Sequence, residues 1–324
     1  MTGALPGGAR PTNLSAATVG QRFNPRPYFA PSDLKSAVAL IAEWLMIVSA
    51  ILVSEQLDSL PVYLLALVVI SSRMVAISDV LGHDAIHGHL FSSRTANRAM
   101  EPICQIPFLY TFDSFRQEHF AHHRYLMTAR DPTYRMLGRW GVVPPGPASP
   151  FFDWFVRPCL LFGTYHTVIG VLSDLCADRS YRLKMGIWWS IYLACIWVSD
   201  FLPELFYYWI VPLFLIVPVL NYWGEMVDHF FVRHGLTRNS GGLVITVLLS
   251  PYNDGFHVLH HRYPGIPWSR LREAQEALIR SGENAAPPQT FLQAYQEARR
   301  ERNRPKCTQP PAARHVRDPG ELAR

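Results

Sequence analysis

Most of the chain's 13 histidines fall into three tight groups: GHDAIHGH (His83, His87, His89), HFAHH (His119, His122, His123) and HVLHH (His257, His260, His261). A single His229 stands apart. On a helix, residues three and four apart share a face, so His83 and His87 can reach one metal ion together. In each HxxHH group the first histidine has a partner at both i+3 and i+4. The two adjacent imidazoles are turned by about 100° from each other, which lets them serve two neighbouring ions. One HxxxH on an apolar face would be a weak signal, but this accumulation is not chance placement. Imidazole suits iron, zinc, copper and nickel, so ligand type alone does not name the metal. The chain has no HExxH, and its five cysteines form no CxxC pair. That lowers the usual zinc readings and argues against an iron–sulfur cluster or a disulfide framework. His166, His234 and His315 lie outside every group, and His89, two residues past His87, points to another helix face.

The elements that must hold these groups are read from hydropathy. Hydrophobic residues make up 49% and charged residues 17% of the 324, and a soluble domain carries about 25% charged. Four apolar segments, residues 34–53, 60–81, 185–202 and 205–226, are each near the ~20 residues that cross a bilayer core as a helix. Short turns join them in pairs, one holding Glu55 and Asp58, the other Asp200, Pro203 and Glu204. None of the 30 Lys and Arg falls in either turn. Positive charge stays on the cytoplasmic side, so both termini and all histidine groups are expected there. The expected fold is all-α and integral to the membrane: four transmembrane helices in two hairpins, with a cytoplasmic helical cap carrying the histidines. Arg73 lies inside the second segment; a mid-membrane charge is costly, so the helix is expected to leave the bilayer near it or, as the less favoured alternative, to turn Arg73 into the helix bundle. Residues 103–112 and 151–175 read as interfacial. The expected organisation is a flexible cytoplasmic arm (1–31), a membrane domain (32–280) and a polar, basic tail (281–324). The tail reads as solvated, with 291–304 as a candidate surface helix. The net charge of +5 fits positive-inside retention, and no nucleic-acid partner is expected.

The order HDAIH, HFAHH, HVLHH on two helical hairpins closely resembles the integral-membrane fatty acid desaturase and hydroxylase superfamily. Arg124-Tyr125, Asp131-Pro132 and Arg262-Tyr263-Pro264 add to the likeness, which covers roughly residues 34–278. The resemblance implies two non-haem irons per chain. It implies as their ligands His83, His87, His119, His122, His123, His229, His257, His260 and His261. Where acyl-CoA desaturases carry an asparagine four residues before the isolated histidine, this chain has Glu225, a candidate ligand or ligand-supporting group. Metal-bound histidines usually donate their free ring N–H to a carboxylate or carbonyl. Asp84, Asp228 and Asp254, beside the groups, are candidates for that role, and Arg116, Arg124 and Arg262 could neutralise them or bind an anionic head group.

The resemblance further implies an O2-dependent desaturase acting on a fatty-acyl or lipid-like substrate. The same groups also serve hydroxylases and ketolases acting on alkanes or carotenoids. A specialised desaturase of a small amino-acid-derived metabolite, of the dihydrorhizobitoxine desaturase kind, is a further alternative. Electrons must come from outside, because the chain has no haem, iron–sulfur or dinucleotide motif. Its basic cytoplasmic face suits an acidic ferredoxin or cytochrome. The setting expected is the bilayer, as a multi-pass protein of a bacterial inner membrane.

Overall fold

The computed structural model describes residues 22–143, 148–233, 235–283 and 285–302. Most of the expected arm (1–21), His234, and the tail beyond Arg302 with Cys307 and His315 lie outside the described residues. Among the described residues the fold is helical, with an isolated bridge between Ser240 and Gln289.

The first long helix, Asp33–Leu57, begins at Ser32, whose hydroxyl accepts the Lys35 N–H at 3.5 Å. It ends at Asp58, which turns left-handed (φ 37°) and leads into Ser59 and Pro61. The returning helix Leu60–His87 is unbroken over 28 residues, although Ala76–Leu81 is wound as a π-turn. A third, Leu202–His229, is equally long and apolar. These three helices are long and apolar enough to cross a membrane. Large apolar side chains on their outer faces, such as Leu34, Leu45, Leu52 and Leu65, stand exposed, as a lipid-facing surface requires.

Three of these expectations bear on particular helices. Arg73 takes the less favoured of its two expected placements and faces the bundle. Its guanidinium lies 3.2 Å from the buried Glu43 carboxylate of the first helix and bonds Ser72 Oγ and the Val247 carbonyl. A paired, inward charge avoids the cost that made an exit attractive. The expected segment 185–202 falls mainly on the helix Arg179–Val198. Arg179, Arg182 and Lys184 occupy its first turns, and it is not among the helices that pass for length and hydropathy. The segment 151–175, expected to be interfacial, is a bent helical pair, Phe152–Leu160 and Phe162–Ala177, broken by 51°, the form of a broken span or of a re-entrant loop.

The helix ends sort into two groups. At one end Tyr208 donates to Glu55 Oε1 (2.6 Å) and meets Ser54 Oγ (2.8 Å), so the two short turns are neighbours. At the other, Lys184 bridges Glu101 (2.8 Å) and Asp113 (2.9 Å) beside the second histidine group. The tail is not wholly solvated: Phe291–Arg302 forms a helix with Ala294 and Ala298 buried. Phe291 packs on Trp154 and Trp223, and Arg302 pairs with the buried Asp153. Phe23 is likewise buried, in a small core with Leu259, Ile266 and Leu271.

Candidate metal centre

Each histidine group sits where a helix ends or a short one is pinned. His83 and His87 occupy the last turn of Leu60–His87, after the π-turn, and Gly88 (φ 80°) stops the helix. One extra residue in a turn rotates everything after it, and such turns recur at functional sites. Gly82 is closely packed: a Cβ there would lie 2.5 Å from Gln105 Nε2, which donates to the Ser78 carbonyl, so a larger residue must displace that buried amide. The second group rides on Phe112–Tyr125, started by a reciprocal cap between Thr111 and Ser114. The third is the short helix His257–Arg262, whose Val258 N–H donates to Asn239 Oδ1 at 3.0 Å. His229 is the last residue of Leu202–His229.

These elements bring nine histidines into two groups of converging ring nitrogens, His83, His87, His119, His123 and His260 in one, His122, His229, His257 and His261 in the other. The adjacent pairs are divided as their angular offset demands: His122 and His123 part, and so do His260 and His261. Within the first group, His119 Nε2 lies 2.8 Å from His83 Nε2, 3.0 Å from His87 Nε2 and 2.7 Å from His123 Nε2. Within the second, His229 Nε2 lies 3.2 Å from His122 Nε2 and 3.0 Å from His257 Nε2, and His261 follows at 3.1 Å from His257.

One imidazole nitrogen carries either one hydrogen or one lone pair. It cannot satisfy three neighbours at once, so the contacts of His119 are poor hydrogen bonds. Nitrogens ~2.1 Å from a common ion and at right angles to each other would lie roughly 3 Å apart, which is the spacing observed. The donor set therefore fits metal binding.

The opposite ring nitrogens support this. His122 Nδ1 donates to Asp131 Oδ1 at 3.0 Å, and His229 Nδ1 donates to the Leu236 carbonyl at 3.2 Å. A proton fixed on Nδ1 leaves the Nε2 lone pair directed into the group. Burial, and then neighbouring imidazoles, push His119, His260 and His261 well below the ordinary histidine pKa and bring His123 and His257 to about 3. They are neutral donors at neutral pH. Burial acts on His122 in the same direction, but the Asp131 hydrogen bond and the charges of Glu225 and Asp131 outweigh it, and its pKa is raised.

The carboxylates expected to support the ligands are placed unequally. Asp228 Oδ2 is 4.0 Å from His257 Nδ1, beyond a hydrogen bond. Asp84 instead accepts the Trp268 N–H at 2.8 Å, tying the first histidine helix to Trp268–Arg280. Asp254 and Glu225 line a cavity with His83, His119, His122 and His257; burial raises the Asp254 pKa to about 7. Glu225 Oε2 is buried without a hydrogen-bond partner. Arg262 pairs with Glu283 at 2.7 Å, while Arg116 and Arg124 lie over Phe120 and Tyr125, so none takes the neutralising place expected of it. His89 and His166 join neither histidine group. Sequence reasoning missed Asp131, which is fully buried and also accepts the Met127 and Thr133 N–H groups at 2.8 and 2.9 Å. The signal was present: an acid immediately before Pro132 is a helix-start pattern, nine residues after His122.

Fold and site together define a class: a helical, largely apolar protein in which two groups of converging imidazoles could hold metal ions. A family model, fatty acid desaturase, matches residues 58–291. The chain belongs to the fatty acid desaturase family, an integral-membrane family whose chemistry implies non-haem iron. It is similar to a beta-carotene ketolase of Paracoccus sp. (strain N81106 / MBIC 01143), 28% identical over 204 residues, which are 59% of this chain and 71% of the relative. It is also similar to the dihydrorhizobitoxine desaturase of Bradyrhizobium elkanii, 24% identical over 270 residues and 76% of each chain. A second beta-carotene ketolase, of Paracoccus sp. (strain PC1), is 27% identical over 205 residues.

Proposed function

We propose that the chain is a multi-pass membrane desaturase. On this reading it binds two non-haem irons through the nine clustered histidines and uses O2 and external electrons to place a C=C bond in a fatty-acyl or lipid-like substrate. The observation that carries the reading is the division of nine converging imidazoles into two adjoining groups within a desaturase-family chain. Bound iron supplies the oxidising power that an unactivated C–H bond requires. Overall, O2 accepts two electrons and two hydrogens' worth of protons from an external donor and solvent, and two hydrogen atoms from adjacent carbons. Two waters leave and the carbons gain a double bond.

The protein's own part is positional. Asp131 and the Leu236 carbonyl hold His122 and His229 in the metal-facing tautomer. The bundle keeps most of the ligands buried, and the cavity beside His119 and His122 would hold the target carbons. With iron bound, Asp228, Asp254 and Glu225 would supply the negative charge that imidazole ligands do not; Asp84 acts one step further out, by bracing the helix of His83 and His87. The proposed arrangement in the bilayer is four crossings, with Arg179–Val198 as the third. Both short turns then lie outside, and the histidines and both termini are cytoplasmic, where an acidic ferredoxin or cytochrome can dock. The proposed limits of the membrane domain remain 32–280.

The ketolase relatives favour a second reading, oxygen insertion by the same centre. Mass spectrometry of products from cells expressing the chain separates the two: a product two hydrogens lighter supports desaturation, and one carrying an added oxygen from labelled O2 overturns it.

A further inference from the structure

Two cavities of different chemistry stand out among the described residues. One, about 600 Å³, is apolar, walled by residues such as Trp44, Ile51, Trp189 and Trp209, and includes none of the nine histidines. The one that meets the metal centre has the opposite chemistry. Its outer part, about 330 Å³, is lined by Glu118, His119, His122, Arg135, Arg139 and Asn221 among others. It continues into an inner part of about 210 Å³, with which it shares Glu118, His119, His122, Asn221 and Glu225. His119 belongs to one nitrogen group and His122 to the other, so an occupant of the shared wall lies beside both metal positions.

The volume is at the low end of the ~300–1,000 Å³ typical of small-molecule sites. A long saturated chain threaded here would cover guanidinium, carboxylate and amide groups without satisfying them, which is costly. The apolar cavity that would suit such a chain is elsewhere. Arg135 and Arg139 are four residues apart on the helix Pro132–Arg139, hence on one face. Both line the outer cavity, and among the described residues no hydrogen bond or ion-pair contact engages either guanidinium. Arg135 shares the cavity with Glu118, whose charge it favours, and two planar forks on one wall still suit bidentate capture of a carboxylate. Trp140 and Tyr222, stacked with centroids 5.3 Å apart, give the same cavity an aromatic side for a short aliphatic segment.

We infer that the site takes a small carboxylate, its anionic end held by Arg135 and Arg139 and its few aliphatic carbons laid against His119 and His122. The inference rests on the desaturase reading for what happens to those carbons, but not for the binding itself. Arg135 and Arg139 are thereby specificity determinants rather than metal-binding groups.

The test is calorimetric binding to the detergent-solubilised, iron-loaded full chain, with hexanoate, hexanamide and stearate as probes. Hexanoate is expected to bind roughly tenfold or more tightly than hexanamide, because a charge-assisted pair is about twice as strong as a neutral one. Arg135→Gln and Arg139→Gln should each weaken hexanoate by a similar factor and leave hexanamide and iron content unchanged. Arg135→Lys should keep part of the affinity, and Arg280→Gln, far from the cavity, should keep all of it. Equal binding of hexanoate and hexanamide would overturn the inference. So would stearate binding more tightly than hexanoate with no loss in the arginine variants, the sign of a long-chain or lipid site. Those outcomes leave the iron content, and with it the desaturase reading, untouched. Hexanoate selectivity in a protein that takes up no iron would instead refute the desaturase reading and leave the carboxylate site standing.

Discussion

Asp131→Asn probes how the protein sets the metal-facing nitrogen of His122. The carboxylate is fully buried and accepts three donors: His122 Nδ1 and Thr133 N on Oδ1, and Met127 N on Oδ2. Asparagine keeps the shape but turns one oxygen into an NH2 that faces a donor. Either the imidazole or one backbone N–H then loses its acceptor. A hydrogen bond to a charged group is worth about 1.5–3 kcal/mol, and removing such support from a metal-bound histidine costs about 10–100-fold in metal affinity. Because His122 belongs to the group with His229, His257 and His261, the loss should fall on one of two irons. The assay is iron per chain by mass spectrometry during timed exposure to a chelator. The variant should release about half its iron early and the rest at the wild-type rate. Cap loss at Thr133 alone would cost stability by about 1 kcal/mol and leave release unchanged. Combining Asp131→Asn with His122→Ala should add nothing to His122→Ala by itself, since the two act through one bond. Additive effects, or wild-type release in Asp131→Asn, would refute the reasoning.

Three shorter expectations follow from the same geometry. Gly82→Ala should lower both iron occupancy and thermal stability, because the new methyl meets Gln105 Nε2 at 2.5 Å and Gln105 is wholly buried; overpacking costs about 1–3 kcal/mol, and an unchanged melting temperature would count against it. Glu225→Gln should reduce iron retention on the order of tenfold if the partnerless Oε2 faces the centre, with Glu225→Asn better tolerated than Glu225→Leu; unaltered iron in all three would remove Glu225 from the site. The metal-free chain should lose stability as pH falls from about 6.5 towards 3. The unfolded histidines take up protons there, whereas folded His123 and His257, held down at about 3, do not. The raised pKa of His122 opposes this with one group, its stabilisation being present below about 6.5 and lost as pH rises through its folded value. Melting temperatures of the apoprotein that rise on acidification would contradict the balance.

The histidine groups were legible because i, i+3 and i+4 spacing is local geometry, and the division of adjacent imidazoles between the two nitrogen groups follows from a 100° step. What pairing across the fold decides was not. Arg73 looked like a membrane exit because its partner Glu43 lies 30 residues away on another helix. Hydropathy cannot show that two lone charges meet. Asp84 looked like support for its neighbour His83, yet its side chain reaches Trp268, a contact no spacing rule predicts. The π-turn at Ala76–Leu81 leaves no mark in the apolar pattern. The polarity of the cavity was equally hidden, since Glu118, Arg135 and the pair Asn221 and Glu225 come from three different helices and become a lining only when packed.

The most direct test of the two-site centre is metal content of the purified full chain, read by elemental analysis and Mössbauer spectroscopy. Two irons per chain are expected, with His260→Ala and His257→Ala each depleting a different one, because His260 belongs to the group of His83 and His257 to that of His229. A single iron lost equally in both variants, or a fully active protein containing only zinc, would contradict it.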